Sequence, residues 1–348
     1  MLIIKTEIRS LNFEALQQNI LDSGMPKFRA SQIFKWLHKG VQTFEGMSNL
    51  SKADRQKLDE NFFIATVDVY KKFVSKIDGT VKFLFKLYDG NFVETVVMKY
   101  NHGYSICVSS QVGCKMGCTF CQSTKAGLIR NLYAGEILGQ ILTAQNELGI
   151  RISNIVMMGI GEPLDNFDNV IDFLKIVNHT EGINIGYRHI SLSTCGLCDN
   201  IIKLSEYNFP ITLSISLHSA FNDKRTNMMP VNKKYNVEKL IDACKQYQSV
   251  TGRRISFEYS LVSGVNDTDN DAIQLFNTLK GLLYHINLIP INRIENGSYY
   301  PPDFKKVEHF CNTLNKMGAT CTVRRTLGSD ISASCGQLRS KYTDNEVI

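Results

Sequence analysis

The pattern of apolar residues up to about residue 65 is helical. Apolar positions recur at spacings of three and four in two stretches, the second being RASQIFKWLHKG, residues 29–40. The residues that share these two faces are Phe13, Leu16 and Ile20, then Ile33, Trp36 and Leu37. Ser51 with Asp54 resembles a capping box that opens a third helix. We therefore predict a small helical domain over residues 1–65.

The pattern changes to period two over residues 66–103, which predicts β-strands. Asp78-Gly79 and Asp89-Gly90 are turn signals of β-hairpins. The alternating residues between them are Val81, Phe83, Phe85 and Leu87 on one face and Thr80, Lys82, Leu84 and Lys86 on the other. We predict a β-hairpin extension over this segment.

From residue 104 onward, strand candidates alternate with helical stretches. The six strand candidates are YSICVSS, ISNIVMMG, HISLSTCG, ITLSISLHS, RISFEYSLVSG and HINLIPIN. Six β/α units predict the α/β class and a parallel sheet. We expect this sheet to form an open or incomplete (β/α)6 barrel over residues 104–300. A C-terminal helix and loop follow over residues 301–348. In such a barrel, functional side chains gather at the C-terminal ends of the strands.

Composition and charge narrow the function classes only slightly. The 348 residues are 43% hydrophobic and 21% charged, with a net charge of +6, which is ordinary for a globular protein and permits a polyanionic partner. Lys27, Arg29, Lys35 and Lys39 gather around the second helix and form either a patch for phosphates or an ordinary solvated face. No apolar run reaches the length of a membrane span, and the first residues do not have the pattern of a signal peptide. We expect a cytoplasmic protein.

Four of the ten cysteines fall within fifteen residues. Three of them, Cys114, Cys118 and Cys121, have the spacing C-x3-C-x2-C in a polar, glycine-containing stretch. Three thiolates at this spacing suit a [4Fe–4S] cluster with one open iron. The alternative is a zinc site, which usually needs a fourth ligand and pairs of C-x2-C. We interpret Cys195 and Cys198 as incidental, and Cys244, Cys311 and Cys321 as small buried hydrophobic residues.

The cysteine motif after a first strand, followed by a partial parallel barrel, resembles the radical S-adenosylmethionine (SAM) superfamily. Further motifs resemble the adenine-C2 RNA methyltransferases that modify 23S rRNA and tRNA, to which the adenine-C8 methyltransferases of antibiotic resistance are related. These motifs are CVSSQVGC, GLIRNL, VMMGIGEPLDN, SLSTCG, SLHS, MPVNKKYN and SCGQL. With the VETV segment around Glu94, the resemblance spans residues 94–338, and the N-terminal helices also look similar.

The resemblance implies a role for each matching position. Cys114, Cys118 and Cys121 would hold the [4Fe–4S] cluster. The residues of the SAM site would be Gly161, Glu162, Ser193, Ser216, Leu217, His218 and Asn292. Cys335 would carry a methyl group as S-methylcysteine, Cys107 would release the protein–RNA adduct by forming a disulfide with Cys335, and Glu94 would accept the ring proton.

The residues themselves leave a structural alternative open at several of these positions. Cys107 and Cys335 could be buried structural thiols, and His218 a core histidine. Glu94 could be a solvated edge carboxylate, and Gly161 with Glu162 could simply form a turn before Pro163.

The resemblance implies a methyltransferase that uses two SAM molecules and an electron donor such as flavodoxin or ferredoxin. Its targets would be carbon 2 of an adenosine in the peptidyl-transferase centre of 23S rRNA and of one 3′ of the tRNA anticodon. The alternatives are methylation at carbon 8 and a non-catalytic iron–sulfur or zinc protein that binds RNA. The chain departs from the family pattern at Gln122, Arg293 and Ser332, which affects the substrate side of the site.

Overall fold

The computed structural model describes residues 5–294 and 297–338, so predictions for residues 1–4, 295–296 and 339–348 lie outside the described residues. The elements up to residue 107 are β1 (Thr6–Glu7), α1 (Phe13–Asp22), α2 (Arg29–His38), α3 (Lys52–Asn61), β2 (Phe62–Phe63), β3 (Val67–Val74), β4 (Val81–Leu87), β5 (Phe92–Tyr100) and β6 (Gly103–Cys107). The next elements are β7 (Gln111–Gly113), β8 (Leu128–Asn131), α4 (Ala134–Leu148), β9 (Ile152–Met157), α5 (Phe167–Asn178), β10 (Ile190–Thr194) and α6 (Cys198–Glu206). The last are β11 (Thr212–Ser216), α7 (Asn222–Met228), α8 (Val237–Thr251), β12 (Ile255–Leu261), α9 (Asp269–Leu279), β13 (Tyr284–Pro290), α10 (Phe304–Lys316) and β14 (Cys321–Val323).

The three predicted N-terminal helices are confirmed as α1, α2 and α3. Leu16, Ile20, Ile33 and Leu37 of the predicted faces are buried in the main hydrophobic core, and Phe13 and Trp36 are partly buried and pack against it. Ser51 caps α3 by accepting the backbone N–H of Asp54 at 3.1 Å, as half of a capping box does. The Asp54 carboxylate binds Arg29 at 3.0 Å, which ties α3 to α2.

All six predicted barrel strands are present and pair side by side in parallel, in the order β6-β9-β10-β11-β12-β13. A seventh strand, β14, pairs in parallel with β13 and was not predicted, because its three residues are too few to show a period. The fold is thus the incomplete parallel barrel of the prediction with one further strand. Helices alternate with these strands along the chain, as the β/α pattern predicts.

The segment over residues 66–103 is a direct continuation of the barrel sheet. Strand β5 pairs antiparallel with β6, and β4 and β3 follow outward, so that ten strands form one sheet. Both predicted turns are present, and Gly79 and Gly90 adopt positive φ there. The extension therefore has three strands rather than the two of a single hairpin.

Strand β4 is buried on both faces, although its sequence alternates. Lys82 and Leu84 are buried together with Phe83 and Phe85, and Lys86 is the exposed residue of the strand. The second face of this part of the sheet is covered by the chain that follows β14, where Ala333 and Leu338 pack in a cluster with residues of β5 and β6. Lys82 and Leu84 of the alternate face therefore meet protein instead of water, whereas Lys86 stays exposed.

Within the described residues, no helix combines the length and the apolar character that crossing a membrane would require.

Candidate active site

A cleft opens at the C-terminal ends of the barrel strands, where functional side chains are expected. It holds about 950 Å³ of space between its walls, counting the open mouth. The predicted site residues that line it are Cys114, Cys118, Cys121, Gly161, Glu162, Ser193, Ser216, His218, Asn292 and Cys335. The structure thus brings together residues that are up to 221 positions apart in the sequence.

The three cysteines of the motif lie between β7 and β8, which form a small antiparallel pair. Gly113 has φ +77°, and a Cβ on it would lie 1.9 Å from the carbonyl oxygen of Gly127, so the base of this loop requires glycine. Burial raises the pKa of the Cys114 thiol to about 12. Burial, and then the nearby sulfurs of Cys121 and Cys114, raise the pKa of Cys118 well above its usual value. Such desolvated, neighbouring thiols become thiolates when they bind metal.

These cysteines fit an iron–sulfur cluster better than a single zinc ion. Zinc needs four ligands that converge on one point. Over residues 5–294 and 297–338, no three His, Cys, Asp or Glu side chains converge in this way. Cys114, Cys118 and Cys121 instead surround a common space in the cleft, as ligands on separate irons of a cluster would.

Gly161 and Glu162 lie where the chain leaves β9. Gly161 has φ +108°, and a Cβ on it would lie 2.7 Å from the Cβ of Gln111, so glycine is required here. The buried Glu162 carboxylate accepts the backbone N–H groups of Leu164 at 3.0 Å and Cys195 at 2.7 Å. Burial raises its pKa, although these hydrogen bonds oppose the shift. Glu162 therefore clips the ends of β9 and β10 together as well as lining the cleft.

The two serines and Asn292 project into the cleft from neighbouring strand ends. The hydroxyl oxygens of Ser193 and Ser216 lie 3.5 Å apart on β10 and β11. Asn292, just after β13, donates its side-chain N–H to the backbone carbonyl of Cys335 at 3.2 Å. Leu217 is different, because its side chain is fully buried in the hydrophobic core. A SAM contact from Leu217 would have to use its backbone.

His218 lies in the cleft and is also fully engaged with the protein. Its φ is +57°, and its Nδ1 accepts the backbone N–H of Ser260 at 2.9 Å. Burial, followed by the charge of Arg225, lowers its pKa to about 3. The imidazole is therefore neutral, with its proton on Nε2. His218 is thus a buried, hydrogen-bonded histidine that also lines the cleft, and its contact with SAM stays a prediction.

Cys107 and Cys335 meet in a smaller cavity that adjoins the cleft. Cys335 lines both spaces, whereas Cys107, at the end of β6, lines the smaller one. Burial, and then the nearby Cys335 sulfur, raise the pKa of Cys107 to about 12. The geometry therefore places the two cysteines near each other without establishing their roles.

Glu94 on β5 has no solvent exposure, so the alternative of a solvated edge carboxylate is wrong. Its Oε1 lies 2.8 Å from the Nζ of Lys82, whose side chain is 9% exposed. Val96 and Met98 line the smaller cavity and lie on the same face of β5 as Glu94. Glu94 is the next residue along that face, so its side chain lies beside this cavity. Its role as a proton acceptor stays a prediction.

Two charged residues of this region were missed in the sequence. Arg324, just after β14, lines both cavities, and its Nη1 lies 4.0 Å from the carboxylate of Glu258 on β12. The nearby Cys335 sulfur raises the pKa of Arg324, while burial opposes this effect. Arg324 was missed because β14, the strand before it, was not recognised. Glu258 was missed because a single Glu in RISFEYSL gives no functional signal.

Two of the four basic residues around α2 bind carboxylates of the protein itself. Arg29 binds Asp54, and Lys35 binds Glu181 at 2.8 Å. Lys39 lies over the Trp36 ring, 5.1 Å from its centroid. The predicted phosphate patch therefore depends most on Lys27 and Lys39.

The comparisons with known proteins agree on one kind of relative. Residues 108–276 match the family model of the radical SAM superfamily, and residues 6–64 match that of the ribosomal RNA large subunit methyltransferase N-terminal domain. The chain is 52% identical to the probable dual-specificity RNA methyltransferase RlmN of Alkaliphilus oremlandii, over 98% of this chain and 99% of that protein. It is 55% identical to the protein of the same name in Clostridium novyi, over 92% and 93%.

A solved structure supports the same relationship. The crystal structure of a radical SAM methyltransferase from Sphaerobacter thermophilus superposes with a TM-score of 0.91 at 39% identity, covering 97% of this chain and 100% of that one.

Proposed function

This chain belongs to the RlmN family of radical SAM RNA methyltransferases, and we propose that it methylates carbon 2 of an adenosine in 23S rRNA and in tRNA. The observation that carries the proposal is the gathering of three motif cysteines, the strand-end residues and Cys335 around one cleft. A carbon-8 target is the alternative within the same chemistry. A non-catalytic RNA-binding protein is set aside, because the family is one of enzymes.

The cofactors of this family are a [4Fe–4S] cluster and SAM. When bound, they supply a radical that can activate an unreactive C–H bond. We propose Cys114, Cys118 and Cys121 as the cluster ligands. Gly161, Glu162, Ser193, Ser216, the backbone of Leu217, His218 and Asn292 would hold SAM. This assignment is supported by the positions of these residues around the cleft. Leu217 lies between two of them, Ser216 and His218, in the sequence.

The chain's own residues would then carry the methyl group and release the product. Cys335 faces both cavities, so a methyl group on its sulfur would lie at the boundary between the cleft and the smaller cavity. Glu94 would accept the ring proton. Cys107, as a thiolate, would attack the Cys335 sulfur and form a disulfide. The bond from that sulfur to the methylene carbon on the RNA would break, and its electron pair would pass to that carbon, which takes up a proton and becomes the methyl group. An external thiol would then reduce the disulfide. The common cavity of the two cysteines supports this division of labour.

We further propose that the N-terminal helices help to bind the folded RNA and that flavodoxin or ferredoxin supplies electrons. Ribosomal and transfer RNA as substrates imply a cytoplasmic enzyme. The domain boundaries proposed for these roles are those predicted above, with the RNA-binding helices at residues 1–65, the strand extension at 66–103, the barrel at 104–300 and the carrier segment at 301–348.

The test combines RNA analysis with two cysteine variants. Mass spectrometry of nucleosides from rRNA and tRNA of cells with and without the gene should show loss of 2-methyladenosine, whereas loss of 8-methyladenosine would support the alternative. Cys107→Ala should trap protein covalently joined to RNA, because the adduct forms but is not released. Cys335→Ala should give no adduct. A folded, cluster-loaded Cys107→Ala protein without any trapped RNA would refute the roles proposed for the two cysteines.

A further inference from the structure

The segment that carries Cys335 is fastened to the turn between β3 and β4. The Asp330 carboxylate accepts the hydroxyl of Ser75 at 2.7 Å and the backbone N–H of Lys76 at 2.9 Å. In the opposite direction, the Asp78 carboxylate accepts the backbone N–H of Gly328 at 2.9 Å. These contacts join parts of the chain about 250 residues apart. Because each side supplies a carboxylate and donors, the contact has a defined register.

The same segment fits closely against the turn. Gly328 has φ +63°, and a Cβ on it would lie 2.7 Å from the Cβ of Ala333 and 3.0 Å from a methyl carbon of Thr80. Ser332 also has a positive φ of +50°. The backbone from residue 328 to 333 is therefore held in a specific, bent course, which ends two residues before Cys335.

Lys82 contributes the central contact of this docking. Its Nζ lies 2.8 Å from Glu94 and donates a hydrogen bond to the backbone carbonyl of Ser332 at 3.3 Å. The ammonium also lies over the Phe73 ring, 5.0 Å from its centroid. A buried ammonium is stable only when such partners replace its water. The Ser332 carbonyl is thus part of the environment that stabilises Lys82 in the sheet.

We propose that Lys82 is a positioning residue of the methyl transfer, which holds the Cys335 segment over the two cavities by joining Ser332 to Glu94. This inference rests on the proposed role of Cys335 as the methyl carrier. The alternative is that Lys82 merely neutralises Glu94 inside the sheet, in which case the position of the segment would not depend on it.

The experiment compares Lys82→Met with Lys82→Arg and with Lys86→Met in the anaerobically purified, cluster-loaded enzyme. Lys86 is the matched control, because it lies on the same strand and is exposed. Hydrogen exchange of the peptide spanning residues 327–335 reports the docking, and the kcat and KM for methylation of 23S rRNA from cells lacking the gene report its consequence.

We expect Lys82→Met to speed exchange in residues 327–335 and to lower kcat, each about tenfold, as the loss of one charge-assisted hydrogen bond predicts. The KM for RNA should change little. Lys82→Arg should keep much of the slow exchange and of the kcat of the wild type, and Lys86→Met should match the wild type in both. Wild-type exchange in Lys82→Met would overturn the inference even if kcat fell, because loss of the ion pair with Glu94, the proposed proton acceptor, can lower kcat without moving the segment. A wild-type enzyme that does not methylate RNA would instead overturn the proposed function, while the exchange comparison still tests the docking.

A second variant covers the outcome that Lys82→Met fails to fold because Glu94 loses its partner. Asp330→Ala removes contacts to Ser75 and Lys76 from the loop side and leaves the sheet unchanged. It should increase exchange in residues 327–335 and lower kcat in the same sense. Unchanged exchange and kcat in a folded Asp330→Ala enzyme would show that docking on the turn does not position Cys335.

Discussion

Acidification should weaken the fold through His38, the last residue of α2. This imidazole is 8% exposed, its centroid lies 4.2 Å from that of the Phe34 ring, and its Nδ1 accepts the backbone N–H of Ile183 at 3.2 Å. A Cβ on Gly182 would lie 2.5 Å from the ring, so the site leaves it no room to move. Burial, assisted by the charges of Arg9 and His179, lowers its pKa to about 3. His38 is therefore neutral in the folded protein at neutral pH.

The sign of the effect follows from the two states. An unfolded histidine titrates at a pKa of 6.5, so below that pH the unfolded chain binds a proton that the folded chain does not. The free energy of unfolding therefore falls as the pH falls from about 6.5 towards about 3. The slope is about 1.4 kcal/mol per pH unit, so His38 alone should remove about 2 kcal/mol between about pH 7 and pH 5.

The assay is anaerobic denaturant unfolding of the cluster-loaded protein at several pH values, compared with His38→Asn. The Asn side-chain oxygen can accept the Ile183 N–H but does not titrate, so the difference between the two proteins isolates His38 from other titrating groups. The wild type should lose about 2 kcal/mol more than His38→Asn between about pH 7 and pH 5. Equal losses in the two proteins would refute the argument that His38 is buried in its neutral form.

Three further predictions concern the site and the RNA. Glu162→Gln should weaken SAM binding about tenfold or more in equilibrium dialysis, because the two carboxylate oxygens each accept one backbone N–H and the Gln NH2 would face one of these donors; unchanged binding would contradict the role of Glu162 at the strand ends. Gly113→Ala should lower the iron content at least about twofold in elemental analysis, since its Cβ would lie 1.9 Å from the Gly127 oxygen, and full iron loading would show that the loop adapts. Lys27→Ala with Lys39→Ala should weaken RNA binding and reduce the slope of log affinity against log salt by about 1 to 2, whereas an unchanged slope would exclude contacts of these lysines with phosphates.

The sequence was most informative where structure is local. Each of the six barrel strands has four or more apolar or β-branched residues between polar boundaries, and all six were predicted. Strand β14 was missed because CTV is too short to show a period and is specified by its pairing with β13. The sequence also did not predict that β3, β4 and β5 continue the barrel sheet. Turn signals identify strands that are neighbours in the chain, but not the edge of the sheet with which they pair.

The same distinction applies to the site. The spacing of Cys114, Cys118 and Cys121 is a local feature, and it led directly to the loop that lines the cleft. Lys82 and Arg324 look like ordinary surface residues in the sequence, because the polar positions of an alternating strand and a pair of adjacent arginines usually face water. Lys82 is buried and Arg324 is partly buried. Residues 327–338 return to cover the sheet beside Lys82, and that contact depends on tertiary packing alone.

The three departures from the family pattern lie around the Cys335 segment, and their contacts explain why they are compatible with the site. Gln122 donates its backbone N–H to the carbonyl of the residue after Cys335 at 2.8 Å, and Arg293 offers its backbone carbonyl to Gln337 at 2.9 Å. Ser332 likewise offers its backbone carbonyl to Lys82. Because these three contacts use main-chain atoms, a change of side chain does not remove them. The position of Cys335 can therefore be kept while the side chains around it differ.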